Sequence, residues 1–95
     1  MKEYYVYILS NKCNGTLYVG VTSNSIKRIW QHKQKFTKGF TIKYDIDKLV
    51  YFEQFNDINL AIGREKRLKE YKKWKLDLIN SSNSDWKDLY EEFLK

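Results

Sequence analysis

Glu65 stands where a carboxylate is costly. Residues 58–71 read as a helix whose apolar stripe is Ile58, Ala61, Ile62 and Leu68, and Glu65 falls near the centre of that stripe. A carboxylate aimed at the rest of the fold, not at water, needs a partner. Two partners fit. Lys69 lies one helical turn further on, in the favourable order for an ion pair. A divalent cation is the other, because Mg²⁺ is commonly held by one or two carboxylates, with waters and substrate phosphates completing its shell. Tyr7 and Tyr18 lie on two strand-like segments. Strand tyrosines ordinarily serve a core or an interface, yet these two hydroxyls are expected to meet on the sheet face that the Glu65 helix approaches. A phenol beside a cation and a guanidinium becomes acidic enough to activate water. Arg28 and His32 are four apart and so neighbours on a helix. Taken alone, each suits a solvated surface. The Arg28 fork also suits a phosphate and the charge that builds in phosphoryl transfer. His32, the only histidine, can position a water or relay its proton.

The elements that must position these groups begin with a hairpin. Residues 4–9 (Tyr-Tyr-Val-Tyr-Ile-Leu) and 17–21 (Leu-Tyr-Val-Gly-Val) are rich in β-branched and aromatic residues, and polar residues with an Asn14-Gly15 turn signal divide them. Alternation puts Tyr5, Tyr7 and Leu9 on one face and Tyr4, Val6 and Ile8 on the other. Both sets are large and apolar, so the first strand should be covered on both sides. Residues 22–25 offer N-caps for a helix over 25–38, with Ile26, Ile29, Trp30, Lys33 and Phe36 in one stripe and Gly39 ending it. A loop carrying Lys43 and Tyr44 leads to a third strand, 49–55. Asn56 or Asp57 caps the Glu65 helix, and residues 72–80 continue as further helix after a bend. A polar loop over 80–84 precedes a last helix capped by Ser84 or Asp85, with Trp86, Leu89, Tyr90 and Phe93 at helical spacing. The fold class is α/β (α+β): a small, three-stranded, mainly antiparallel sheet flanked by helices, in one domain spanning 1–95.

Composition narrows the function. Ninety-five residues with 42% hydrophobic side chains can bury one modest core. No apolar run approaches the roughly 20 residues of a membrane span, and no signal-peptide core is visible. Cys13 is the only cysteine, which leaves no internal disulfide and no zinc-finger spacing, and a cytoplasmic location is the expectation. The net charge is +6 and it is clustered. Residues 27–43 hold six basic side chains and no acid, while residues 64–75 hold seven against Glu65 and Glu70. Two basic segments bracketing a neutral sheet suit a polyanion.

Val6-Tyr7, followed after ten residues by Tyr18-Val19-Gly20, resembles the paired signature of the GIY-YIG nuclease family. The pattern continues through Thr22, Arg28, His32 and Glu65 to Trp86-Lys87-Asp88-Leu89, and so spans almost the whole chain in the manner of the small single-domain members, the UPF0213 group. The resemblance implies the same α/β architecture and a metal-dependent DNA endonuclease, with repair or recombination as its setting. It implies Tyr7 as general base, Tyr18 supporting the water or a phosphate oxygen, and Arg28 and His32 in the active site. It favours Mg²⁺ (or Mn²⁺) on Glu65 over the Lys69 pair, and Asn80 as the asparagine that often orients the site. A helix-terminal role for Asn80 or Asn83 stays open beside this. Lys27, Lys33, Lys43, Arg64 and Lys69 are the expected nucleic-acid contacts, with DNA as partner, RNA left open, no membrane, and a monomer or weak homodimer. There are departures. Tyr5 replaces the first glycine, valines replace both isoleucines, and Val21 stands where many members carry a basic residue. A nucleic-acid-binding module with little or no nuclease activity is the alternative.

Overall fold

Tyr4–Ser10 (β1) is the middle strand of the sheet, and its burial explains why both of its faces are apolar. The computed structural model of the chain describes residues 3–12, 15–23, 46 and 48–89. The strand order is β2-β1-β3, where β2 is Leu17–Thr22 and β3 is Lys48–Phe55, and both pairings are antiparallel. The hairpin is closed by a turn in which the Gly15 N–H donates to the Lys12 carbonyl at 2.9 Å. The Thr16 N–H donates to Asn11 Oδ1 at 3.0 Å, so side chains satisfy the loop backbone. Register follows alternation: Tyr7 faces Gly20, Ile8 faces Val19 and Leu9 faces Tyr18.

The sheet separates two apolar clusters. Val6, Ile8, Val19 and Val50 on one face join Ala61, Leu68, Ile79 and Trp86 from the helical half of the chain. Tyr7, Leu9, Ile46 and Leu49 make the other, with Tyr18, Phe52 and Leu89 packed against it. Helix α1, Ile58–Glu70, is capped by Asp57, whose carboxylate accepts the Asn59 N–H at 2.7 Å. Tyr71, in an extended conformation (φ −124°, ψ 99°), ends α1 and begins α2, Lys72–Ser82, as the expected bend. Of the α1 stripe, Ala61 and Leu68 are buried, while Ile58 is left exposed. Arg64 ties α1 to β3 by a two-pronged pair with Glu53, Nε to Oε1 at 3.0 Å and Nη2 to Oε2 at 2.9 Å.

Two expectations for the C-terminal part are corrected. Residues 80–82 are not loop, since α2 runs to Ser82. No helix starts at Ser84 or Asp85, because residues 83–89 are irregular. The helical spacing of Trp86 and Leu89 serves a different geometry. Trp86 adopts the left-handed region (φ 54°), which turns the chain as its indole is buried to 1% exposure. The indole Nε1 donates to Asn80 Oδ1 at 2.9 Å. The segment then lies along the outer edge of β3: the Leu89 N–H donates to the Leu49 carbonyl at 2.7 Å, and the Leu49 N–H donates to Asp88 Oδ1 at 3.2 Å. Helix hydrogen bonding loses to edge-strand pairing. The helix expected over 25–38, Cys13, and Tyr90 and Phe93 lie outside the described residues.

Candidate functional site

Tyr7 and Tyr18 come together because antiparallel register makes them diagonal neighbours on one face. Their ring centroids are 6.5 Å apart with planes tilted by 36°. Tyr7 is 1% exposed, whereas Tyr18, on an outer strand, is partly open. Gly20 is what lets Tyr7 lie there. A Cβ on Gly20 would come within 2.5 Å of the Tyr7 Oη and 2.6 Å of Cζ, well inside van der Waals contact. The tyrosine ring lies across the glycine of the partner strand. A glycine inside an otherwise β-branched strand is the signal for such close approach.

Glu65 is placed otherwise than expected. Its neighbours on the helical stripe, Ala61 and Leu68, pack on the Val6–Ile8–Val19 face. Tyr7 and Tyr18 belong to the opposite face. The expectation that the hydroxyls share the face approached by α1 is therefore overturned, and the period of two along β1 is the reason. Glu65 does point inward, at 17% side-chain exposure, and it holds Lys69 Nζ at 3.4 Å. Of the two partners that the sequence left open, the lysine is present. Among the described residues no group of three or more His, Cys, Asp or Glu stands together as a metal cage. One half-shielded carboxylate fits a cation that takes its remaining positions from water and phosphate, as Mg²⁺ does. It does not fit an all-protein site.

The other expected residues divide. Arg28, His32, Lys27, Lys33 and Lys43 lie outside the described residues. Arg64 is committed to Glu53, and Lys69, 56% exposed, to Glu65. Asn80 holds the Trp86 indole. Asn83 is the more tightly bound asparagine: its Nδ2 donates to the Val50 and Lys87 carbonyls at 3.1 and 2.9 Å, and its Oδ1 accepts the Lys87 N–H at 3.1 Å. Val21 packs against the Val6–Ile8 cluster, so the position that a basic residue often fills in the family serves the core here. Sequence reasoning missed the Tyr51–Glu53–Arg64 network, since eleven residues separate Glu53 from Arg64 and no local pattern joins them. The Tyr51 hydroxyl donates to Glu53 Oε2, and burial, then that hydrogen bond and the Glu53 charge, push its pKa up to about 12.

A hairpin presenting Tyr-Val-Tyr against Tyr-Val-Gly, backed by a helix with one inward carboxylate, defines a small α+β domain. A family model described as the GIY-YIG catalytic domain matches residues 3–80. The chain belongs to the GIY-YIG family, a nuclease family. It is 40% identical over 80 residues to UPF0213 protein CPE1444 of Clostridium perfringens, covering 83% of this chain and 85% of that one. It is 32% identical over 91 residues to UPF0213 protein HQ_3675A of Haloquadratum walsbyi, covering 90% and 96%. The solution NMR structure of UPF0213 protein BH0048 from Bacillus halodurans is similar, with a TM-score of 0.51 and 26% identity over 88% of this chain and 92% of that one.

Proposed function

We propose that the protein is a divalent-metal-dependent DNA endonuclease in which Tyr7 activates the attacking water and Glu65 holds a single Mg²⁺ or Mn²⁺. The observation that carries this reading is the Tyr7–Tyr18 pair, two phenols with ring centroids 6.5 Å apart across Gly20, within the family-matched region. Tyr7 is gripped by Leu9, Ile46 and Leu49, so its oxygen is held in one place, where, once it has lost its own proton, the phenolate would take one from the attacking water. Tyr18, on the outer strand β2, orients the water or a phosphate oxygen. A cation on Glu65 would supply Lewis-acid stabilisation of the phosphoryl oxygens. Arg28 would grip the scissile phosphate and His32 would relay a proton, roles that rest on their place in the sequence pattern. Because Glu65 and the tyrosines occupy opposite faces, the reading requires the phosphate to lie at the β2 edge, which can be reached from either side. Basic residues hold the backbone and do not specify sequence, so cleavage guided by DNA structure is favoured.

The test is cleavage of labelled single-stranded, duplex, flap, branched and nicked DNA with Mg²⁺, Mn²⁺ or EDTA, using wild type beside Tyr7→Phe and Glu65→Ala. Metal-dependent cutting that falls by roughly 100-fold or more in each variant supports the assignment. Cutting unaffected by EDTA, or by loss of Glu65, overturns it. The Glu65–Lys69 pair at 3.4 Å favours one other reading, a nucleic-acid-binding module whose carboxylate is neutralised internally. That reading expects salt-sensitive binding by wild type and no cutting on any substrate.

A further inference from the structure

The junction between α1 and α2 carries the most unusual surface among the described residues. Tyr71 and Trp74 are 48% and 44% exposed, and their rings lie 4.5 Å apart with planes tilted by 34°. Two large aromatics closely paired with one another, yet left about half in water, mark an interaction surface. The geometry of the junction produces it. No loop separates the helices, and the extended Tyr71 backbone throws that ring outward, three residues before Trp74.

The surroundings say what the surface takes. Residues 64–75 contain Arg64, Lys66, Arg67, Lys69, Lys72, Lys73 and Lys75 against two acids. The first turn of α2 has no acidic residue. Burial, with Lys72 close by, pulls the Lys75 ammonium below the ordinary lysine range, as expected where positive charges crowd. A cleft of about 320 Å³ opens beside Trp74, lined also by Arg64, Asp77 and Leu78. That is the low end of small-ligand pocket sizes and suits a single planar group. Leu78 and the Trp74 ring give it apolar walls, and Asp77 offers an acceptor for an exocyclic amine. A second cleft of about 310 Å³ shares Arg64 and adds Phe55 and Arg67. Aromatic faces interleaved with cations are what an unpaired strand needs: bases stack, and phosphates are neutralised between them. Duplex bases are already stacked and cannot use the rings.

We infer that Tyr71 and Trp74 form a stacking platform for unpaired bases, flanked by the 64–75 cations, so that the protein grips a single-stranded segment of DNA there. This rests on the nucleic-acid reading above and deepens it, since the preferred substrate would carry an unpaired strand beside its cleavage point.

The test measures binding in EDTA, where cutting is suppressed, of a labelled mixed-sequence DNA strand of about 16 nucleotides and of the same sequence as duplex. Wild type is compared with Tyr71→Ala/Trp74→Ala and with Trp74→Phe. The platform predicts that the double variant weakens single-strand binding by about 10- to 100-fold while duplex binding stays within about twofold. Trp74→Phe keeps most of the affinity. Parallel losses on both DNAs, or no loss on either, overturn the platform. A wild-type dimer that the double variant converts to monomer, measured by sedimentation, overturns it in favour of contact with a second copy of the chain. The two readings separate cleanly. Single-strand binding that needs the rings, in a protein that never cuts, keeps the platform and removes the nuclease. Metal-dependent cutting with ring-independent binding does the reverse.

Discussion

Gly20 and Tyr7 behave as one unit. Because a Cβ at position 20 would sit 2.5 Å from the Tyr7 hydroxyl oxygen, Gly20→Ala must drive the ring out of its place. The expected loss is about 1–3 kcal/mol, the usual cost of overpacking, read by urea denaturation. Pairing Gly20→Ala with Tyr7→Leu, which removes the ring that clashes, should cost less than the sum of the single changes. Strict additivity would show that the two do not share space. Tyr51 gives a prediction with a pH signature. Its pKa rises from 10.0 to about 12 on folding, so the native state holds the phenolic proton more tightly than the unfolded chain does. That contribution is complete below pH 10 and drains away as the pH climbs through the window up to about 12. Tyr51→Phe has no such proton. Thermal melts should therefore show the wild-type advantage over Tyr51→Phe shrinking in that window, and a constant gap would sink the assignment.

At the scale of elements, β3 is an outer strand whose free edge the chain covers with its own C-terminal segment. Val50 is the extra residue at the register shift, since Ile8 pairs with Tyr51 and Leu9 with Leu49. Its carbonyl would lack a ladder partner, and Asn83 Nδ2 supplies one at 3.1 Å. Asp88 and Leu89 close the neighbouring Leu49 positions. The edge is thereby closed to pairing with a second chain at Leu49 and Val50. Asn83→Ala removes two donated bonds and one accepted bond at a buried site, leaving carbonyls unsatisfied. The loss should reach about 2–3 kcal/mol by urea denaturation. Asn80→Ala strips one bond from the Trp86 indole and should cost about 1 kcal/mol. If the two variants proved equally mild, the Asn83 bridge would not be what holds the segment to β3.

For the whole molecule, the sheet is a partition. Helices α1 and α2 bury their apolar residues on one side, while the tyrosine pair and Leu89 sit on the other. Charge is not spread evenly over this frame. The seven cations of residues 64–75 give the helical side a positive field, though Arg64 and Lys69 spend part of theirs on Glu53 and Glu65. Affinity for single-stranded DNA should fall with salt, with a slope of about −0.7 per phosphate contacted. Replacing Arg67, Lys72 and Lys73 together by glutamine should make that slope shallower by about two units, read from titrations at several salt concentrations. An unchanged slope would place the phosphate path elsewhere.

Much of this was legible in the chain as written. Periodicity and turn chemistry were sufficient for the hairpin, for β3 and for α1 with its Asp57 cap, because those features depend on neighbours within a turn or a strand. The order Tyr7, Tyr18, Gly20 and Glu65 pointed to the family for the same reason: it is a pattern of local elements. Tertiary structure alone decided the rest. Which face of the sheet α1 covers depends on long-range packing, and it separates Glu65 from the tyrosines. The Glu53–Arg64 pair and the bridge from Asn83 to Val50 join residues 11 and 33 positions apart, which no local spacing encodes. Trp86 is the clearest instance. Its spacing to Leu89 fits a helix, but the open edge of β3 offered hydrogen bonds to the backbone and β1 with its neighbours offered burial to the ring. Those distant partners together outweighed the local preference.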